Sequence, residues 1–397
     1  MDFTQDEDEL KPYREQASRW IEHNLPALAS EAERQRVSGD SFSPEIHRCL
    51  AAAGWLGAGW PTEYGGTDNE VGVARAIHQQ IALSGVRMIA WLTTSFVINT
   101  IRDRGTEAQK KSIISDALRG AMIIALGYTD PEAGSDAAAA RTRAVRHGDE
   151  WVINGQKMFT SCAHLATHVF MLTRTDPELP KHNGLTTFLV PLDAEGVEIQ
   201  PVWTLSGERT NATFYADVRT PDEFRIGDIN GGWDVLRTAL MYERGGQRDN
   251  LRPENLETTR SAVEWAQRNH RDDGSRVWDD PVVRERLVRH AINEEITELL
   301  RYRAVWAAQQ GDLSGAPTAA VKVFGSETTQ QREWDLLDMF GAAGVLKREA
   351  GDAPLDAAIE EAARDGVVGP IAGGSNEVLR GIIAERQLGL PRCRPPR

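Results

Sequence analysis

The sequence predicts an α+β fold: an N-terminal helical domain over 1–121, a middle β-barrel-like domain over 122–232 and a C-terminal helical bundle over 233–397. Three observations carry this division. Apolar residues recur at helical spacing in the first region, short apolar runs between turn residues take over near residue 122, and helical periodicity returns beyond Trp233. At 397 residues the chain also exceeds the ~250–300 at which a single core stops growing.

In the first region, Leu10, Tyr13, Ala17, Trp20, Ile21 and Leu25 follow a helical period, as do Ile46, Leu50, Ala53 and Leu56. The Gly- and Pro-rich stretch Gly59-Trp-Pro-Thr-Glu-Tyr-Gly-Gly66 reads as a loop. Further helices are expected over Val71–Leu83 and Trp91–Leu118. The middle region opens with the strand-like Met122-Ile-Ile-Ala-Leu-Gly-Tyr-Thr129. Trp151 to Phe159 reads as a hairpin turning at Asn154-Gly155, a strong turn dipeptide. Strands are expected at Val169–Arg174, Thr186–Val190, Val197–Gln200 and Ala212–Val218. In the last region, long helices are predicted over 233–270, 280–311 and 316–340. A final helix is expected from Asn376 to Leu388, with Ser375 as N-cap and Gly389 as stop.

The composition is that of an ordinary globular chain, 41% hydrophobic and 26% charged. A formal charge of −14 argues against a nucleic acid or an anionic membrane surface as the main partner. Cys49, Cys162 and Cys393 are scattered without metal-ligand spacing, so neither a disulfide framework nor a metal site is indicated. The first residues are acidic, unlike a secretory leader, and no apolar run reaches the ~20 residues of a membrane span. A reducing cytoplasm is the expected setting.

Gly127-Tyr-Thr-Asp-Pro-Glu-Ala-Gly-Ser-Asp136 and Asn154-Gly-Gln-Lys-Met-Phe-Thr-Ser161 resemble two signature segments of the acyl-CoA dehydrogenases. Tyr64-Gly-Gly66, Ala320-Val-Lys322 and Pro370-Ile-Ala-Gly-Gly-Ser-Asn-Glu-Val-Leu-Arg380 are weaker matches in the same order. The resemblance covers the whole chain and implies FAD as cofactor, an acyl-CoA thioester as substrate and an external electron acceptor, typically another flavoprotein. It places Tyr128, Thr129, Phe159, Ser161 and Ser375 against the flavin, and Ser135 near both flavin and substrate. Phe159 stands where an indole is frequent and brings no N–H to donate. Taken alone, the segment is equally compatible with a hairpin carrying an ordinary half-buried aromatic.

The family's usual catalytic glutamate falls on Gly373, which has no carboxylate. Branches that place this base on the helix after the β-domain carry a Glu-Arg pair there, and the match here is Leu240-Met-Tyr-Glu-Arg244. Periodicity agrees with that placement. Trp233, Leu236, Ala239 and Leu240 form an apolar stripe, with Glu243 seven residues after Leu236 and three after Leu240. Arg244 lies about 100° round the helix and is a candidate substrate contact. A surface salt bridge is the alternative reading of Glu243, although Ala239, Leu240, Gly246 and Gln247 offer it no cation at helical neighbour positions. The resemblance also implies that the Gly373 backbone N–H polarises the thioester carbonyl. Small Ala372 beside it suggests room for a bulky or branched acyl group. The competing reading is a flexible turn before a capped helix.

Homotetrameric relatives hold the ADP half of FAD with a neighbouring subunit. In the corresponding stretches, Arg271–Pro281 lacks the expected Phe-Gly, and Asp338 stands where a neutral amide belongs, an unfavourable charge beside a pyrophosphate. A homotetramer with an altered site or a heterotetramer with a paralogous chain both fit, the heteromer slightly better. A noncatalytic subunit completing a partner's flavin site, or an oxidase or monooxygenase on the same scaffold, remain alternative readings.

Overall fold

The structure, a computed structural model, describes residues 7–243, 254–312 and 314–392. Residues 5–243 form one compact unit, and 244–397 belong to a second.

The first unit begins with helices α1 (Glu7–Asn24), α2 (Leu28–Ser38), α3 (Pro44–Ala52), α4 (Val71–Leu83) and α5 (Ile89–Arg104). The periodic residues Ala17, Ile21 and Leu25 meet Ile46 and Leu50 and the α4 residues Val73, Ile77 and Ile81 in one buried cluster. Ser43 starts α3 by accepting the Ile46 N–H, with Pro44 in the first turn, where its missing N–H costs nothing. The helix expected over 91–118 is instead broken at Gly105, whose backbone is extended. Thr106 and Gln109 then form a reciprocal capping box that opens α6 (Glu107–Gln109). A wider turn over Lys110–Ile114 leads into α7 (Ser115–Leu118). Local capping chemistry thus overrides a continuous apolar period.

The strands β1 (Ile124–Gly127), β2 (Arg143–His147), β3 (Glu150–Lys157), β4 (His168–Arg174), β5 (Leu185–Pro191), β6 (Val197–Trp203), β7 (Arg209–Pro221) and β8 (Arg225–Ile226) join in one sheet. Its order is β6-β7-β3-β2-β4-β5-β8, with β1 parallel to β4. Phe170, Phe188, Leu189 and Val190 on β4 and β5 are fully buried, each worth roughly 1.5–3 kcal/mol of burial. The turn expected at Asn154-Gly155 is not formed. Asn154 and Gly155 lie within β3, and the chain reverses at Gly148-Asp149 between β2 and β3. Gly155 marks an irregularity in the β3–β7 register. With φ 148, a Cβ there would sit 2.7 Å from Thr142 Cα. The glycine serves a close backbone approach rather than a type I′ turn.

Helix α8 (Gly232–Met241) closes this unit, and Tyr242 and Glu243 continue it in a wider turn. Arg244 lies outside the described residues.

The second unit contains α9 (Glu254–Arg268), α10 (Pro281–Gln309), α11 (Ala316–Phe340), α12 (Ala358–Gly366) and α13 (Asn376–Ile382). Ala262, Ala266, Leu287, Leu336, Phe340 and Ile359 form its apolar core. Beside them, His290, Arg332, Glu333 and Asp335 are buried charged or titratable groups. Beyond α13, a wider turn over Ile383–Gln387 runs to Leu388, and Gly389 has φ 64. Among the described residues, no helix is long and apolar enough to cross a membrane, and no group of acidic, His or Cys side chains could hold a metal ion.

Candidate active site

Two segments of the first unit converge where β1 ends. Gly127 leaves no room for a side chain, since a Cβ there would approach Val169 Cγ2 to 2.8 Å. Tyr128 and Thr129 follow, both half-buried. The Thr129 carbonyl accepts the Met158 N–H at 2.8 Å, tying this exit to the end of β3. One residue after Thr129 and one before Met158, Asp130 meets Lys157, whose Nζ also donates to the Leu172 carbonyl at 2.6 Å. Both side chains are buried, at 5% and 0% exposure. The Asp130 carboxylate also accepts the N–H groups of Arg141 (2.6 Å) and Thr142 (2.7 Å). It thereby closes the base of loop 131–140, which carries Ser135 exposed on its surface. Burial lowers the Lys157 pKa, and the adjacent carboxylate opposes that shift.

After β3 the chain bends sharply. Phe159 adopts φ 57 yet is 61% exposed. A left-handed backbone at an aromatic residue costs free energy and persists only where surrounding structure enforces it. Here the enforcement comes from β7. The Thr160 N–H donates to the Asn211 carbonyl at 2.9 Å, and Asn211 Nδ2 returns a bond to the Thr160 carbonyl at 3.0 Å. Asn211 Nδ2 also lies 3.2 Å from His164 Nδ1, and His164 Nε2 lies 3.0 Å from Asp40 Oδ1. Nδ1 must accept from the amide, so Nε2 carries the proton and donates to Asp40. Burial lowers the His164 pKa, in keeping with a neutral ring. Ser161 Oγ lies 3.2 Å from Thr210 Oγ1 on the same strand. The result is a planar apolar ring held outward beside a serine hydroxyl, a fit to one face and edge of an isoalloxazine.

Glu243 stands half-buried after α8. The Tyr128 hydroxyl is pushed well above its usual pKa, first by burial and then by the negative charge of Glu243, which places that charge within electrostatic reach of the ring. Tyr128 packs on a small apolar cluster of Ala138, Ala140, Leu172, Leu185 and Leu236, which Trp233, Leu240 and Ala137 also touch. Tyr128, Thr129, Phe159, Ser161, Glu243 and the Ser135 loop all belong to the first unit.

Gly373, Ala372 and Ser375 belong to the second unit. Gly373 and Gly374 both have positive φ, at 67 and 92, so the turn requires glycine. Ala372 is exposed. Ser375 Oγ accepts the Val378 N–H as N-cap of α13. Lys322 Nζ donates to the Gly374 carbonyl at 2.9 Å and to Asn376 Oδ1 at 2.8 Å, so α11 fixes this turn. The sequence offered Lys322 as part of a motif without its role. Asp130, Lys157, Asn211 and Tyr242 gave no signal of their contacts, because their partners lie far away in sequence.

Profiles of the acyl-CoA dehydrogenase N-terminal, middle and C-terminal domains match residues 7–121, 125–218 and 230–388. The chain belongs to the acyl-CoA dehydrogenase family. Acyl-CoA dehydrogenase FadE26 of Mycobacterium tuberculosis is 33% identical over 96% of this chain and 98% of its own length. FadE29 of the same organism is 33% identical over 97% and 98%. Among solved structures, the Tcur3481-Tcur3483 steroid ACAD superposes with TM-score 0.85 at 36% identity, covering 99% of this chain and 100% of that one. The ChsE4-ChsE5 complex from Mycobacterium tuberculosis does so with TM-score 0.84 at 32% identity, covering 99% and 100%. Acyl-CoA dehydrogenases are FAD-dependent flavoproteins, oxidoreductases acting on CH–CH bonds, and this chain is one of them.

Proposed function

We propose that this acyl-CoA dehydrogenase acts on a bulky or branched acyl-CoA thioester, with the Glu243 carboxylate removing the α-proton. One observation supports the assignment: Glu243 lies half-buried just after α8, near enough to Tyr128 at the exit of β1 for its charge to raise that hydroxyl's pKa. Bound FAD supplies the acceptor for the hydride that leaves the β-carbon. Phe159 would pack against the flavin ring, and Tyr128, Thr129 and Ser161 would line its polar edge. Ser135 would sit near both flavin and thioester. The Ser375 hydroxyl, already accepting a backbone N–H, keeps its own hydrogen to donate to the cofactor. The Gly373 backbone N–H is assigned to the thioester carbonyl, a role that needs no side chain. Arg244 is assigned to the substrate, as the family's Glu-Arg pattern implies.

Two features support a large acyl group: Ala372 and Gly373 are small, and solved relatives include a protein described as a steroid ACAD. The steroid-bearing thioester is therefore the first substrate to try. The chain is also proposed to work in a cytoplasmic tetramer, with a paralogous partner favoured over a second copy of itself. In support, the arginines that could meet a pyrophosphate are engaged internally. Arg271 pairs with Asp280, Arg276 with Asp279 and Arg286 with Asp338.

The test is turnover with an artificial electron acceptor across straight-chain, branched and steroid-bearing CoA thioesters. We expect the bulky thioesters to be preferred and Glu243→Gln to lose at least about 1,000-fold in kcat, the scale of removing a general base. Wild-type turnover by Glu243→Gln overturns the assignment.

A further inference from the structure

The C-terminal end of α5 grips α8 at two successive turns. Arg104 Nε donates to Thr238 Oγ1 at 3.0 Å. One turn on, the Tyr242 hydroxyl donates to Asp103 Oδ2 at 2.5 Å and accepts from Arg102 Nη2 at 3.0 Å. Thr238 and Tyr242 are four residues apart and so share one face of the helix. Arg102 itself is held over the Trp60 ring, 5.5 Å from its centroid.

These contacts contribute little as charge pairing. The Arg102–Asp103 ion pair is 3.5 Å long with side chains 43% and 36% exposed, a setting in which such pairs are worth about 0–1 kcal/mol. What the hydroxyl bond fixes is rotation. Tyr242 is buried at 8% exposure, and a short bond to a carboxylate holds its ring against α5. Glu243 is the next residue, roughly 100° further round a helix axis. With Tyr242 locked toward α5, the Glu243 side chain leaves the helix on a different side, within reach of Tyr128, the residue that feels its charge. The wider turn at Tyr242 and Glu243 follows the last regular turn of α8, and the Tyr242–Asp103 bond anchors it from outside the helix.

We propose that Tyr242, through Asp103, is a positioning residue that aims the Glu243 carboxylate at the α-carbon of the thioester. The proposal rests on Glu243 being the base. It does not place Tyr242 against substrate or flavin. Tyr242 acts on the rate of proton removal and not on thioester binding.

The experiment reads proton removal alone. Holoenzyme is incubated in D2O with the 3-thia analogue of the CoA thioester it turns over fastest, whose β-sulfur can give up no hydride, and deuterium entering Cα is followed by mass spectrometry. Tyr242→Phe keeps the ring and removes the bond. Its exchange rate at saturation should fall about 10- to 100-fold, as expected for a reacting group misplaced by about 1 Å. The half-saturating concentration, FAD content and melting temperature should stay near wild type. Asp103→Asn, which keeps an acceptor oxygen, should retain most of the rate, whereas Asp103→Ala should match Tyr242→Phe. In a Glu243→Gln background the Tyr242 change should cost nothing further. Wild-type exchange by Tyr242→Phe overturns the proposal and leaves Glu243 standing if Glu243→Gln is inert. A loss that follows FAD content or melting temperature also overturns it, because the role is then structural. Exchange that survives Glu243→Gln removes the base assignment and the positioning claim together.

Discussion

Single residues carry the least expected chemistry. Glu333 is 3% exposed, with Oε2 making no hydrogen bond among the described residues and packed against Gly366. Burial raises its pKa from 4.5 to about 7, with Arg332 opposing and Asp365 adding to the shift. The sign follows from linkage. The folded state holds this proton more tightly, so the contribution is full below pH 4.5 and is lost as pH rises through 7. Glu333→Gln, neutral at every pH, should match wild-type stability near pH 4.5. It should exceed wild type by about 3 kcal/mol at pH 8, measured as the difference between their denaturant curves. Burial lowers the pKa of neighbouring His290, which would move stability oppositely on acidification, but that contribution cancels in the difference. Nothing in the sequence marked Glu333, because a glutamate within a charged helix ordinarily faces water. The sequence singled out Glu243 because it continues an apolar stripe and forms a family-like Glu-Arg pair with Arg244.

At the scale of elements, β3 is the piece on which the candidate site hangs. The sequence reads Trp151 to Phe159 as a hairpin, but Asn154-Gly155 is used for close approach to Thr142 and not for reversal. Turn dipeptides report backbone permissiveness, and a bulge in a strand needs the same permissiveness as a turn. Lys157 ends this strand fully buried against Asp130. Such a pair contributes little net stability against an apolar replacement, but breaking it strands a charge. Lys157→Met should therefore destabilise the first unit by about 3–5 kcal/mol and release FAD. The double variant Asp130→Asn with Lys157→Met should recover much of the stability. Denaturant unfolding and the flavin absorbance of the purified protein check both. If the single variant is as stable as wild type, the pair does not hold the two segments together.

For the molecule as a whole, the open question is what completes the cofactor's far half. On α10, Val288, Ile292, Ile296 and Leu299 are 37–55% exposed at helical spacing, an apolar stripe that supports burial against another chain. Arg286 is bonded to Asp338, which raises the guanidinium pKa further. The carboxylate that the sequence flagged as hostile to a pyrophosphate is thus neutralised at home, at the cost of the nearest cation. Asp338→Gln should leave Arg286 only its longer contact to Asp335 at 3.8 Å and raise the FAD retained per chain when the protein is purified alone. The ratio of flavin to protein absorbance measures this, and an unchanged ratio removes the argument for a partner-supplied ADP half.

The sequence by itself determined the α–β–α order, the family and the vacancy at Gly373, because apolar periods and contiguous motifs are local properties that need no folded chain to be read. The tertiary structure decided the rest. It set the bulge at Gly155, the outward left-handed Phe159 and the grip of α5 on Tyr242. Each of these depends on a partner tens of residues away, and the energy of a hydrogen bond or a buried charge exists only once folding has brought that partner within reach.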